Sequence, residues 1–169
     1  FRGEAIEGIP VPKSLEMLAR SLDSLCRYAL SAGVTINLEP TNRFEINLIH
    51  TVEEGLAVID RVGASNLQLL LDLYHMHLEE PDGLAAIRRT GGRFSHVHFA
   101  DSGRFPADAE WGQAYLTAVV RLFRELRYEG YLTLIYSRSE DTSRSIRENV
   151  RHVKSLIAAV LGSKLICGY

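Results

Sequence analysis

The sequence has 169 residues, 46% of them hydrophobic, and a formal net charge of −2, which excludes an intrinsically disordered chain and argues against nucleic-acid binding. No apolar run reaches the roughly 18 residues of a membrane span, and two cysteines are too few for a disulfide framework, so we expect a cytoplasmic protein that does not enter membranes. The chain begins with Phe1 and not with Met, so we expect it to be part of something longer.

Helical and extended patterns then alternate along the chain. Apolar residues three and four positions apart predict a first helix between Ser14 and Gly33. A short β-branched run predicts a strand over Val34–Glu39, which Pro40 stops. The later elements are predicted as a helix that the capping box Thr51–Glu54 opens and Gly63 closes, a strand over 67–71, a helix over 81–89, a strand over 94–99, a helix over 116–126, a strand over 131–136 and a helix over 145–162.

This alternation indicates the class of fold. Strands separated by helices of such length are typical of parallel βαβ units with right-handed crossovers. The sequence has no linker and no low-complexity stretch that would divide it. It therefore predicts an α/β architecture with a parallel sheet of four strands.

Polar side chains end the first three predicted strands. They are Glu39, Asp72 and His98. Because parallel strands end at the same edge of a sheet, and ligands bind at that edge, we expect these side chains to lie close together. Two carboxylates and an imidazole suit Mn²⁺ or Mg²⁺ better than a zinc ion held by thiolates. The pattern therefore predicts a divalent-metal site.

Each of these residues also has an ordinary structural interpretation. A single Glu or Asp at a strand end is often a helix cap or a solvated loop residue. His96 and His98 alternate on one face of a strand, so one of them could be a hydrogen-bonded core histidine. On the pattern alone, both interpretations stay open.

Three longer motifs surround these positions. They are Leu38-Glu-Pro-Thr-Asn-Arg-Phe-Glu45, Leu70-Leu-Asp-Leu-Tyr-His-Met76 and Ser95-His-Val-His-Phe-Ala-Asp-Ser-Gly-Arg104. In this order and spacing they resemble the xylose-isomerase-like TIM barrels, and within them most closely the ketose 3-epimerases of the tagatose and psicose group. The resemblance covers residues 3–136.

The resemblance implies a role for each site residue. Glu39, Asp72 and His98 would ligate a divalent metal, and Glu39 would also act as acid and base at the sugar carbon. A Lewis-acidic ion of this kind stabilises the enediolate that forms when the neighbouring C–H is deprotonated. The hydroxyl and carbonyl oxygens of a small sugar substrate would be held by Glu45, His75 and Arg104.

The chain departs from the family pattern at its last strand. In the family this strand ends in a glutamate that is both fourth metal ligand and second acid/base. Here Ile135 stands at that position, and an isoleucine can neither ligate a metal nor transfer a proton. The nearest acid, Glu140, reaches the site only if the following loop folds back. Three-ligand metal binding and impaired epimerisation are therefore expected.

The length departs from the family as well. A TIM barrel takes about 250 residues and eight strands, whereas this chain predicts four, which match strands five to eight. We therefore expect residues 1–162 to form the C-terminal half of such a barrel and residues 163–169 to form a tail. A half-barrel has two open edges and, we expect, an apolar inner face. A longer polypeptide, or a second subunit as in a homo-oligomer, would complete it.

Other functions stay open beside ketose epimerisation. An aldose–ketose isomerase of the same superfamily is chemically close. A catalytically silent domain that binds a sugar or a protein is a further alternative, because Ile135 replaces the glutamate. The endonuclease-IV-like repair enzymes share this barrel, but they need an Asp-x-His pair after the third motif, where this chain has Asp108-Ala-Glu110. Their phosphate-rich substrate also suits a more basic protein.

Overall fold

A computed structural model describes residues 4–100, 110–135 and 142–161. In these residues four strands form one parallel sheet in the order β1-β2-β3-β4. The α/β class and the four parallel strands are therefore confirmed. The strands are β1 Ile36–Leu38, β2 Leu67–Asp72, β3 Phe94–Ala100 and β4 Tyr131–Ile135.

Six helices connect or flank these strands within the described part of the chain. Five of them were predicted, with boundaries that shift by a few residues. The sixth, α3, is a seven-residue helix that directly follows β2 and was not predicted. The helices are α1 Val11–Ser31, α2 Val52–Val62, α3 Leu73–Glu79, α4 Gly83–Arg89, α5 Glu110–Glu125 and α6 Thr142–Leu161.

Local chemistry explains where the helices begin and end. The Thr51 side chain accepts from the Glu54 amide while the Glu54 carboxylate accepts from the Thr51 amide, so the predicted capping box opens α2. Gly63 ends that helix with a φ of 68°, a left-handed conformation that glycine adopts without strain. Pro12 lies in the first turn of α1, where its missing amide N–H is not needed.

The two faces of the sheet have different compositions. One face packs against the helices, and its side chains are buried; they include Leu38, Leu69, Leu71, Val97 and Phe99. Alternate residues lie on the opposite face, which is only partly covered and mostly polar, with Asn37, Gln68, His96 and Thr133.

Hydrogen bonds cross this opposite face from strand to strand. The Ser95 hydroxyl donates to Asn37 Oδ1 at 2.6 Å, and His96 Nε2 lies 2.8 Å from Thr133 Oγ1. The inner face is therefore not the apolar surface that was expected: polar pairs occupy much of it, with Leu70 and Ile135 as apolar residues among them.

The parallel arrangement places the carboxyl ends of all four strands at one edge. Asp72, the last residue of β2, is the register partner of His98 in β3. None of the described helices combines the length with the apolar composition that crossing a membrane requires. Several sequence predictions fall on positions outside the described residues: Arg104 and Glu140, the last residue of the predicted strand over 131–136, the last residue of the predicted helix over 145–162, and the tail over 163–169.

Candidate metal centre and active site

Three side chains meet at the carboxyl edge of the sheet. Glu39 directly follows β1, Asp72 ends β2, and His98 lies near the end of β3. Their potential ligand atoms all lie within 4.8 Å of one another. His98 Nδ1 is 3.2 Å from Glu39 Oε1 and 3.3 Å from Asp72 Oδ2. The structure thus brings together the three residues that the sequence suggested as metal ligands.

The electrostatics of this cluster favour a cation. Both carboxylates are buried, with 6% of Glu39 and 2% of Asp72 exposed. Hydrogen bonds to Asp72 and then to Glu39 raise the pKa of His98 to about 9, so its ring carries a proton at neutral pH. A divalent ion bound by the same three groups would have to displace this proton. The donor set, two carboxylates and one imidazole, fits Mn²⁺ or Mg²⁺.

Asp72 also starts the helix that the sequence did not predict. Its Oδ1 accepts from the amides of Tyr74 at 2.9 Å and His75 at 3.3 Å, which makes Asp72 the N-cap of α3. Its other oxygen, Oδ2, faces His98. The same carboxylate therefore caps the helix and belongs to the group formed by Glu39, Asp72 and His98, which we call the metal-type cluster. The helix-cap and metal-ligand interpretations are thus compatible.

Because α3 starts at the cluster, its first turn places His75 beside it. The side chain is 1% exposed, and Nε2 lies 3.8 Å from Asp72 Oδ2 and 4.0 Å from Glu39 Oε1. Glu45, in the loop after β1, has its Oε1 3.9 Å from Nδ1 of the same ring. Two of the three predicted sugar-binding residues thus lie next to the cluster.

Asn42 joins these two residues and had no role in the sequence interpretation. Its amide nitrogen lies 2.8 Å from His75 Nδ1 and 3.0 Å from Glu45 Oε1. Asn42 is 1% exposed, although it lies in a loop. The only sequence signal was its place inside the first motif, between Glu39 and Glu45.

A second unpredicted pair anchors the same loop. Glu79, in the last turn of α3, accepts from the Arg43 amide at 2.7 Å and from its guanidinium Nε and Nη2 at 3.1 and 2.7 Å. The hydrogen bond with Arg43 lowers the pKa of Glu79, so this carboxylate stays charged in a nearly buried position. The pair ties the loop that carries Asn42 and Glu45 to the helix that carries His75.

The fourth strand brings no acid to the cluster. Ile135 ends β4 and pairs with Ala100, two residues after the pair between Thr133 and His98. Because side chains alternate along a strand, Ile135 lies on the same face as His98. Among the residues that the structure describes, the metal-type cluster consists of Glu39, Asp72 and His98.

Known proteins match this chain in sequence. The family model described as "Xylose isomerase-like TIM barrel" matches residues 2–156. The L-ribulose 3-epimerase of Mesorhizobium japonicum is 45% identical over 84 residues, which are 50% of this chain and 28% of that protein. The D-psicose 3-epimerase of Enterocloster bolteae is 32% identical over 117 residues, which are 66% of this chain and 36% of that protein.

The structural likeness is broader. A structure of L-ribulose 3-epimerase matches with a TM-score of 0.75 and 29% identity, over 94% of this chain and 57% of that one. A D-psicose 3-epimerase with D-tagatose from Clostridium cellulolyticum matches with a TM-score of 0.70 and 25% identity, over 92% of this chain and 56% of that one. The chain spans little more than half the length of these structures. It belongs to the xylose isomerase-like TIM barrel family.

Proposed function

We propose that the protein is a divalent-metal-dependent ketose epimerase that acts through an enediolate. The observation that carries the proposal is the meeting of Glu39, Asp72 and His98 at the ends of three adjacent parallel strands. The similarity to proteins named L-ribulose and D-psicose 3-epimerase supports a ketose as substrate. The matched parts cover a minority of those relatives, so the activity is proposed for the complete barrel.

Glu39, Asp72 and His98 would hold the ion in this proposal. Their two carboxylates and one imidazole match the preference of Mn²⁺ and Mg²⁺. The two carboxylates also raise the pKa of His98, which is consistent with a position where positive charge is favourable. Bound there, the ion would supply the positive charge that stabilises the two oxygens of an enediolate.

The protein's own groups would then orient the sugar and move the proton. Glu39 is the proposed base, because its buried carboxylate stands at the edge of the sheet where a ligand would bind. His75 and Glu45, held next to it, are proposed to bind the sugar's hydroxyl and carbonyl oxygens. Arg104 is proposed for the same task on the basis of its motif.

Ile135 supports a second candidate function. Epimerisation needs one group that removes the proton on one face of the enediolate and another that returns a proton on the opposite face. An aldose–ketose isomerase needs less, because a single carboxylate can carry the proton between neighbouring carbons on one face. Since β4 ends in an isoleucine, isomerisation through Glu39 alone is the second candidate. A domain that binds a sugar or protein without turnover is the non-enzymatic alternative.

The open, polar face of the sheet indicates what kind of partner would complete the barrel. Polar side chains such as His96 and Thr133 would be covered in a closed barrel. We propose that four further strands complete the sheet, supplied by the same polypeptide or by a second subunit, which includes a homo-oligomer. The partly polar composition suits the small polar cavity of a sugar enzyme in the cytoplasm better than an interface with lipid.

The test combines metal binding with isotope exchange. Calorimetry measures Mn²⁺ binding to the wild type and to Ile135→Glu, and NMR follows deuterium uptake at C3 of a ketose in D₂O. We expect Mn²⁺ to bind, and Ile135→Glu to bind it at least about tenfold more tightly and to exchange faster. Ile146→Glu, which adds the same charge at a 40% exposed position on α6, is the matched control and should change neither.

The outcomes separate the candidates. Exchange with formation of the C3 epimer supports the epimerase, and formation of an aldose supports the isomerase. Mn²⁺ binding by the complete barrel without exchange in either protein identifies the silent domain. Absence of Mn²⁺ binding in both would refute the metal site and with it the proposed function.

A further inference from the structure

We infer that Asn42 is a positioning residue that holds the His75 ring in one tautomer, with its proton on Nε2 and pointed at the metal-type cluster. The inference deepens the proposed function, because it states how one proposed sugar-binding side chain is prepared for its task. The hydrogen bonds of the Asn42 side chain carry it.

The first step is the orientation of the Asn42 amide. Its Oδ1 accepts from the Phe44 backbone N–H at 3.0 Å, and a backbone N–H can only donate. The Asn42 amide nitrogen, Nδ2, lies 3.0 Å from Glu45 Oε1, and a carboxylate oxygen accepts hydrogen bonds. Both contacts require the oxygen on the Phe44 side and the NH₂ group on the opposite side. Two independent partners thus fix the amide orientation.

The second step is the tautomer of the ring. The same NH₂ group lies 2.8 Å from His75 Nδ1. An NH₂ group has no lone pair to offer, so Nδ1 must be the acceptor and carry no proton. A neutral imidazole with a bare Nδ1 carries its hydrogen on Nε2. Asn42 and His75 are each 1% exposed, so a wrong tautomer would leave two buried donors facing each other without water to separate them.

The third step is what this tautomer presents to the site. Nε2 lies 3.8 Å from Asp72 Oδ2 and 4.0 Å from Glu39 Oε1, at the edge of the cluster. A ring nitrogen that carries a proton has no lone pair for a metal. His75 therefore does not replace the carboxylate that the chain lacks at Ile135. Its N–H is instead a hydrogen-bond donor for a sugar oxygen bound at the cluster.

The test is the ¹⁵N NMR spectrum of the histidine rings in the metal-free protein. The sequence has six histidines, and His75→Gln identifies the signals of His75 by difference. We expect the wild-type Nδ1 to resonate as an unprotonated ring nitrogen and Nε2 as an N–H nitrogen. In Asn42→Asp the shape is kept and the donor becomes an acceptor, so Nδ1 should change to an N–H nitrogen.

Asn47→Asp is the matched control. It makes the same change in the same loop, at an exposed side chain that bonds to the Ala5 backbone, and should leave both His75 signals unchanged. A protonated Nδ1 in the wild type overturns the inference even if Asn42→Asp fails to fold. An unprotonated Nδ1 that persists in folded Asn42→Asp overturns it as well.

A kinetic measurement tests the consequence for the reaction. With Mn²⁺ and a ketose, Asn42→Asp should lower kcat/KM by roughly ten- to a hundredfold, as loss of an orienting partner does in other sites, without weakening Mn²⁺ binding. An unchanged kcat/KM would refute the positioning role. Failure of the proposed function is distinguishable, because it would abolish turnover in the wild type and leave the tautomer spectrum as described.

Discussion

The double use of Asp72 leads to a prediction that separates folding from metal binding. Its Oδ1 caps α3 through the amides of Tyr74 and His75, while its Oδ2 faces His98 in the metal-type cluster. Asp72→Asn keeps an oxygen for the cap and removes the negative charge. Asp72→Ala removes both. The two variants should therefore lose Mn²⁺ binding alike but differ in stability.

The expected difference follows from the two contacts. Asparagine caps helices about as well as aspartate, whereas alanine at an N-cap costs about 0.5–2 kcal/mol. Both variants lose the negative charge that faces His98, so the loss of this charge is common to the two proteins in the comparison. We expect Asp72→Ala to be about 1 kcal/mol less stable than Asp72→Asn, or about 2–4 °C in Tm for a domain of this size. Mn²⁺ affinity should fall about a hundredfold or more in both, since even indirect partners of a metal ligand contribute 10–100-fold.

Urea unfolding of the metal-free proteins and Mn²⁺ calorimetry measure the two effects. The matched control is Asp82, which caps the seven-residue helix α4 through the Ala85 amide at 3.0 Å and lies outside the cluster. Asp82→Asn and Asp82→Ala should differ by a similar amount in stability and leave Mn²⁺ affinity unchanged.

Two results would refute this reasoning. If Asp72→Asn and Asp72→Ala are equally stable while the Asp82 pair differs, Asp72 does not cap α3. If Asp72→Asn binds Mn²⁺ as tightly as the wild type, Asp72 is not a ligand, and the metal part of the proposed function loses one of its three groups.

Two further predictions concern α2 and the loop that precedes it. A Cβ at Gly55 would lie 2.8 Å from Leu69 Cδ2 and 3.0 Å from Pro40 Cγ. Gly55→Ala should therefore lower the free energy of unfolding, measured in urea, by about 1 kcal/mol. The cost of overpacking, about 1–3 kcal/mol, exceeds the gain in helix propensity, about 1 kcal/mol. An increase in the free energy of unfolding would contradict the tight contact. Because Arg43 lowers the pKa of Glu79, the ion pair stabilises the fold above the usual Glu pKa of 4.5 and is lost as the pH falls through the lowered value. Acid unfolding should show Glu79→Gln less stable than the wild type at pH 7 and the gap closing in acid; a constant gap would rule out the ion pair as its cause.

Periodicity was sufficient to predict most of the architecture. The alternation of helical and extended runs depends on side chains that repeat along one element, and β2 and α2 carry this signal in full. The boundaries of α2 were predicted because Thr51 and Gly63 act on their own neighbours. The three strand-end residues could be placed together for a similar reason, since parallel strands share one edge.

Features that depend on contacts between distant segments were not predictable in this way. The helix α3 follows β2 without an intervening turn, and the residue that caps it, Asp72, is also the last residue of the strand, so no separate start signal marks it. The pairing of Arg43 with Glu79 depends on that helix, so it could not be inferred without it. Asn42 lies inside the first sequence motif, but its contact with His75, 33 residues away in sequence, forms only in the folded protein.

The polar side chains on the inner face of the sheet change the expectation of how this half-barrel associates. An apolar inner face would have implied association through hydrophobic burial alone. The hydrogen-bonded pairs Ser95–Asn37 and His96–Thr133 instead satisfy polar groups within this half of the sheet. Under the proposal that further strands complete the sheet, the strands that cover this face would have to match polar groups, which a purely apolar surface does not do.

The isoleucine at position 135 and the tautomer of His75 together determine how many metal ligands the described residues offer. A metal site that lacks one carboxylate could recruit the nearest imidazole in its place, and His75 Nε2 lies within 4.0 Å of Glu39. Asn42 opposes this, because its NH₂ group keeps the proton of the ring on Nε2. The described residues therefore offer three ligands and a separate donor. If the proposed function is right, a site of this composition would bind its ion more weakly and keep His75 as a donor for a sugar oxygen. Ile135→Glu should then strengthen metal binding without competing with His75.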